Sequence, residues 1–102
     1  MIQRRYPRIS VNFLASFLGD LTGHGLVENL SFLGCRLRKK EPLPMQEGIT
    51  LLLHFEAESK ACRVEHAVVR WQAPMDLHGI EFVVMAEQDQ RLLQTFLASQ
   101  PQ

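Results

Sequence analysis

The sequence predicts a mainly β domain: a small antiparallel barrel, preceded by a basic arm and covered at one opening by a C-terminal helix. Three observations carry this. Apolar and polar residues alternate over short runs between residues 10 and 84. Turn-forming residues interrupt those runs at short intervals. Past residue 86 the period changes, and Leu92, Leu93, Phe96 and Leu97 recur at helical spacing. Strands followed by one terminal helix fit a barrel whose opening the helix covers.

The elements follow in order. Residues 1–9 are basic and contain Pro7, which disfavours a helix, so an extended arm is expected. In residues 10–18, Val11, Phe13, Ala15 and Phe17 share one face, as in a half-buried strand. Gly19 to Gly23 is a turn. Residues 25–31 and 33–38 read as two short strands, with Cys35 and Leu37 on one face and Arg36 and Arg38 on the other. Pro42, Pro44 and Gly48 mark a loop. Ile49 to Phe55 is a short apolar run behind those signals, hence a buried strand. Ala61 to Trp71 is a long strand rich in valine, and its broken alternation indicates a bulge. Pro74 to Asp76 turns the chain into a last strand, Gly79 to Val84, with Ile80, Phe82 and Val84 expected inward. Ala86 to Ser99 lacks Gly and Pro and is one amphipathic helix, with Gln88, Asp89, Arg91 and Gln94 on its polar face. The expected division is one domain over 1–102, with the arm at 1–9, the barrel at 10–85 and the helix at 86–99.

Composition bounds what such a domain does. The 102 residues are 46% hydrophobic and 22% charged, which is globular rather than disordered, and one modest core needs no metal or disulfide staple. Eleven basic residues balance eleven acidic ones. Zero net charge argues against bulk binding to a nucleic acid polymer or an anionic membrane, while leaving room for a local basic site. No apolar run reaches the length of a membrane span, so no membrane insertion is expected. The N-terminus lacks the apolar stretch of a secretory signal. Cys35 and Cys62 are too few for a disulfide scaffold and show no CxxC spacing, so both are expected as buried, reduced thiols of a cytoplasmic protein.

Nothing in the chain assembles a catalytic set, and the expectation is a protein that is not an enzyme. His24, His54, His66 and His78 form no HxxxH or HExxH pair and have no cysteine at ligand spacing, so surface or edge histidines are expected and no metal site. Gly23-His24-Gly25 does not open a helix and reads as a turn, not a dinucleotide fingerprint. Glu56, Glu58, Glu65 and Glu81 alternate along strands as on a solvated face.

Two local patterns stand out. Arg4, Arg5 and Arg8 put three guanidiniums in five residues with no acid nearby. Guanidinium forks match phosphate oxygens and the O6/N7 edge of guanine in bidentate fashion. Asn29, Ser31 and Gly34 bring an amide, a hydroxyl and a permissive glycine to a strand junction. Taken singly, the first reads as a solvated tail and the second as an Asx or Ser turn.

Taken together, an RxxxR element (Arg4, Arg8), an NxSxxG element (Asn29, Ser31, Gly34) and a late Val68-Val69-Arg70-Trp71 … Gly79-Ile80-Glu81-Phe82 hairpin resemble the PilZ domain family, bacterial receptors for cyclic di-GMP. The resemblance covers nearly the whole chain. It implies a six-stranded antiparallel β-barrel with a C-terminal helix. It also implies that Arg4 and Arg8, helped by Arg5, clamp the guanines and phosphates of the dinucleotide. Asn29, Ser31 and Gly34 would then contact base edges and phosphate from the barrel surface, and Trp71 would flank a base. Asn29 stands where Asp is commoner, which keeps an acceptor and removes a negative charge. Gln3 stands where some relatives carry arginine, which leaves open whether one ligand molecule or a stacked pair is bound. Arg36 and Arg38 would extend the basic surface.

The implied function is a stand-alone cyclic di-GMP receptor in second-messenger signalling. It needs no cofactor beyond that ligand and acts on an unidentified protein target in biofilm or motility control, with a homodimer left open. The basic arm is expected to be mobile until the ligand orders it. The runner-up is a PilZ-fold adaptor in motility or pilus assembly that binds no nucleotide; the intact motifs argue against it. A single-strand nucleic acid binder would need aromatic stacking platforms, and one Trp and one Tyr are too few.

Overall fold

The computed structural model describes residues 7–19, 23–55 and 60–100. Arg4 and Arg5, with the arm as far as Tyr6, lie outside the described residues, as do Glu56 and Glu58. Among these residues, six strands and one helix follow one another: β1 (Ile9–Leu18), β2 (His24–Leu30), β3 (Gly34–Arg38), β4 (Gly48–Leu53), β5 (Cys62–Ala73), β6 (Leu77–Val84) and α1 (Glu87–Ser99). They close into a barrel in the order β1-β2-β3-β6-β5-β4, and every neighbouring pair is antiparallel.

Alternation builds the core. Phe13, Ala15 and Phe17 of β1 point inward, as do Leu37 of β3, Leu51 and Leu53 of β4, and Ile80 and Phe82 of β6. Cys35 and Cys62 are free and buried, and burial pushes each thiol up to about 12, with the Asp89 charge adding to the effect at Cys62.

Helix α1 covers one opening of the barrel. Leu93 is fully buried, and Leu92, Phe96 and Leu97 pack against the core. The Phe96 ring stacks on Phe55 with centroids 4.2 Å apart and meets Phe13 edge-on at 5.7 Å. The start of the helix has no side-chain cap from Ala86. Buried Asp89 in the first turn instead accepts the Arg63 backbone N–H at 3.0 Å, tying the helix to the start of β5. Its charge also complements the helix N-terminus. No helix among the described residues is long and apolar enough to cross a membrane.

Bulges re-aim side chains at several places. On β2, Val27 and Asn29 face Leu37 and Arg36, so Glu28 is the extra residue and both Glu28 and Asn29 turn outward. On β5, Val69 and Trp71 face Ile80 and Gly79, which makes Arg70 the extra residue. The bulge expected in this strand is therefore present, and it leaves Arg70 and Trp71 both exposed.

Three expectations fail, and the first is Asp89, expected on the polar face of the helix but buried where it accepts the Arg63 N–H. Val84 is 46% exposed, not inward, because Val83 is an extra residue between Phe82 and Val84 where they face Ala67 and His66. His78 is buried, not at the surface, because β6 begins two residues earlier than expected and places His78 on the inward parity of Ile80 and Phe82. Its Nε2–H donates to the Lys39 carbonyl at 3.0 Å. His54 sits just past β4, sharing a 2.6 Å hydrogen bond with the Ser16 hydroxyl, and His24 and His66 are exposed.

Candidate functional site

Register, not sequence proximity, assembles the site. Ser10 of β1 faces Asn29 of β2, Asn29 faces Arg36 of β3, Arg36 faces Gly79 of β6, and Gly79 faces Trp71 of β5. This row crosses five strands, and four of its positions, Asn29, Arg36, Gly79 and Trp71, line an open pocket of about 250 Å3. Arg8 stands at its edge, just before β1, and Ser31 and Gly34 border it from the β2–β3 turn. Thus five residues singled out in the sequence, Arg8, Asn29, Ser31, Gly34 and Trp71, line one cavity.

The β2–β3 turn is held by its own polar groups. The Ser31 backbone N–H donates to the Gly34 carbonyl at 2.9 Å, and the Ser31 hydroxyl accepts the Leu33 N–H at 3.1 Å. The turn chemistry read from the sequence is therefore realised, and it leaves the Ser31 side chain at the pocket rim. Gly34 is required by close approach: a Cβ there would lie 2.2 Å from the Ile80 carbonyl oxygen of β6. On the far side of that contact, Phe82 N–H donates to the Leu33 carbonyl at 2.9 Å.

Gly79 serves the pocket differently. With no side chain at this position, the Trp71 indole lies across the strand. Trp71 is 40% exposed, so part of it is open to contact with a planar group.

Charge in the pocket is mostly positive. Arg8, Arg36 and Arg70 line it, against Glu81 as its one carboxylate among the described residues. Glu81 accepts Arg70 Nε at 2.6 Å, and Arg70 also donates to Gln46 Oε1 at 2.8 Å. Arg36 Nε is buried without a hydrogen-bond partner and stands 3.9 Å from the Glu28 carboxylate. Glu28 is committed elsewhere: both its oxygens bind the Arg38 guanidinium, at 2.9 and 3.3 Å. That hydrogen bond holds Arg38 above its ordinary pKa. Arg38 also donates to the Met75 carbonyl at the β5–β6 turn. The two β3 arginines therefore divide. Arg38 is a structural brace, and Arg36 retains donor capacity at the pocket.

Arg70, Gly79 and Glu81 lie in the late hairpin, but no pocket role is legible for them in the sequence. The one signal in the chain itself is the broken alternation of β5, which implies that two consecutive residues share a face.

A family model described as PilZ domain matches residues 2–99. Among solved structures, the Bacillus subtilis inhibitor of motility (MotI/DgrA) matches with a TM-score of 0.71 and 19% sequence identity, covering 99% of this chain and 55% of that one. The chain thus spans about half the length of that protein, and the likeness is one of fold. No curated protein matches the sequence.

Proposed function

Because the chain belongs to the PilZ domain family, we propose that it is a non-enzymatic receptor for cyclic di-GMP that acts by changing its contacts with a protein partner. The observation that carries this reading is the convergence of Arg8, Asn29, Ser31, Gly34 and Trp71 on one pocket, with the Trp71 indole seated over Gly79. Arg8 and Arg36 supply forked donors for phosphate or for the acceptor edge of guanine. Trp71 supplies a stacking face, and the Asn29 amide a donor and an acceptor for base or phosphate. Arg4 and Arg5 precede Arg8 closely enough to join it over a bound dianion.

Affinity at the micromolar level corresponds to about 8 kcal/mol net of the costs of association, and each bidentate guanine contact adds roughly 1–3 kcal/mol of discrimination between bases. Closure of the basic arm over the ligand would present a new surface, and that surface is the signal in this reading. The fold likeness to a protein named for inhibition of motility supports motility as the output. The domain would act in the cytoplasm, where a soluble second messenger reaches it. Isothermal titration with cyclic di-GMP, with GTP and cyclic AMP as controls, tests the reading. Saturable binding of cyclic di-GMP alone supports it, and no heat at millimolar ligand overturns it in favour of an adaptor that binds no nucleotide.

A further inference from the structure

We propose that Glu81 is the specificity-determining residue that selects guanine, by accepting the N1–H and N2–H2 donors of a base lying over Trp71; this rests on the receptor reading above. Guanine presents acceptors on one edge, O6 and N7, and donors on another, N1–H and the exocyclic amine. Arginines satisfy the first edge but have no acceptor for the second. Asn29 offers a single amide oxygen, which cannot pair side by side with two parallel donors. A carboxylate does so with both its oxygens, and Glu81 is the one carboxylate lining the pocket among the described residues.

Placement agrees. Gly79 and Glu81 share the outer face of β6, two residues apart, so their positions are separated by about 7 Å. A purine resting on the indole above Gly79 therefore reaches the carboxylate with one edge, across half its own width and one hydrogen bond. Glu81 is held in position by its neighbours, since Arg70 Nε donates to Oε1 at 2.6 Å and Gln46 in turn holds Arg70. The side chain is half exposed, so the carboxylate is open to a ligand. A bare acid beside a dianion would repel it, and the paired Arg70 offsets that repulsion. The Arg70–Glu81–Gln46 chain thus keeps an acceptor in an anion pocket.

The alternatives differ in what they predict. Adenine offers an acceptor where guanine offers N1–H and has no amine at C2, and hypoxanthine keeps N1–H but lacks the amine. Titration of the full chain and of Glu81→Gln with cyclic di-GMP, cyclic di-IMP and cyclic di-AMP separates them, with thermal melts confirming that the variant folds. The parent is expected to prefer cyclic di-GMP over cyclic di-IMP by about tenfold or more, and Glu81→Gln to lose most of that preference. Glu81→Asp, which keeps the carboxylate on a shorter arm, is expected to retain part of it. Equal weakening toward all three ligands would make Glu81 a brace for Arg70 and overturn the proposal. Tighter binding by Glu81→Gln would make it only a repulsive charge, with the same consequence. The parent titration alone decides the receptor reading, so the two failures are distinguishable.

Discussion

The indole of Trp71 occupies the space that a side chain at position 79 would need: a Cβ on Gly79 would stand 2.1 Å from both Nε1 and Cε2 of the ring. Gly79→Ala is therefore expected to push the indole toward solvent. Because the ring is already partly exposed, the stability loss should fall near the low end of overpacking costs, about 1 kcal/mol. Ligand affinity should fall much further, since the stacking face is displaced. This is the only tryptophan in the chain, so a red-shifted emission maximum, read with a ligand titration, checks both parts. An unchanged spectrum and affinity would show that the ring finds another seat.

Arg8→Ala should weaken cyclic di-GMP binding by roughly 2–5 kcal/mol, the cost of removing a charged partner at a ligand site. The melting temperature should barely move, because Arg8 is exposed and precedes β1. Arg36→Ala should behave alike, whereas Arg38→Ala should lower stability, because it releases Glu28 and the β5–β6 turn. Parallel calorimetry and thermal melts distinguish the two patterns. Added salt should reduce the parent's affinity, less steeply than for a nucleic acid polymer with condensed counterions.

Phe96→Ala should cost about 3 kcal/mol, the low end for truncating a phenylalanine, since the ring is only partly buried. The loss comprises the stack on Phe55 and the edge contact with Phe13. Chemical denaturation measures it. An unaltered midpoint would mean that the helix contributes little to closing the barrel.

Stability should decline in alkali. Both thiols are raised from 9.0 to about 12 in the folded state, so the native protein keeps protons that the unfolded chain gives up. Their contribution is complete below pH 9 and is lost as pH climbs toward 12, by at most about 1.4 kcal/mol per pH unit for each thiol. Denaturation midpoints at pH 8 and pH 10.5 check this, with Cys35→Ala and Cys62→Ala expected to flatten the slope. The native thiols should also resist alkylation at neutral pH.

Much of the fold is legible in the sequence because strand parity is a strong local signal. Phe13, Ala15 and Phe17 are buried as their spacing requires, and the helical stripe around Leu93 meets the barrel. Parity fails where a bulge inserts a residue. Val84 lies beyond such an insertion and faces out, while Arg70 is itself one and faces out beside Trp71. His78 escapes for a different reason: Gly79 reads as the start of the strand, although the ladder begins at Leu77. The site is legible only along the chain. Parity says that Arg36 points outward but not that Gly79 and Trp71 are its neighbours, which depends on the β3–β6 and β5–β6 registers. Arg36 and Arg38 look equivalent in sequence, and only the bulge at Glu28 separates them by giving its carboxylate to Arg38.

Barrel closure has a consequence for recognition. Among the described residues, six strands joined in a ring leave no strand with one whole side unpaired. That disfavours capture by zippering a strand onto the sheet, a mode of docking that draws its affinity from main-chain hydrogen bonds. A partner must then read chiefly side chains, and in the proposed receptor those are what a bound ligand would rearrange. A sheet with open margins would offer partners the same backbone template whether occupied or empty; a closed one would let contact depend on whether the ligand is bound.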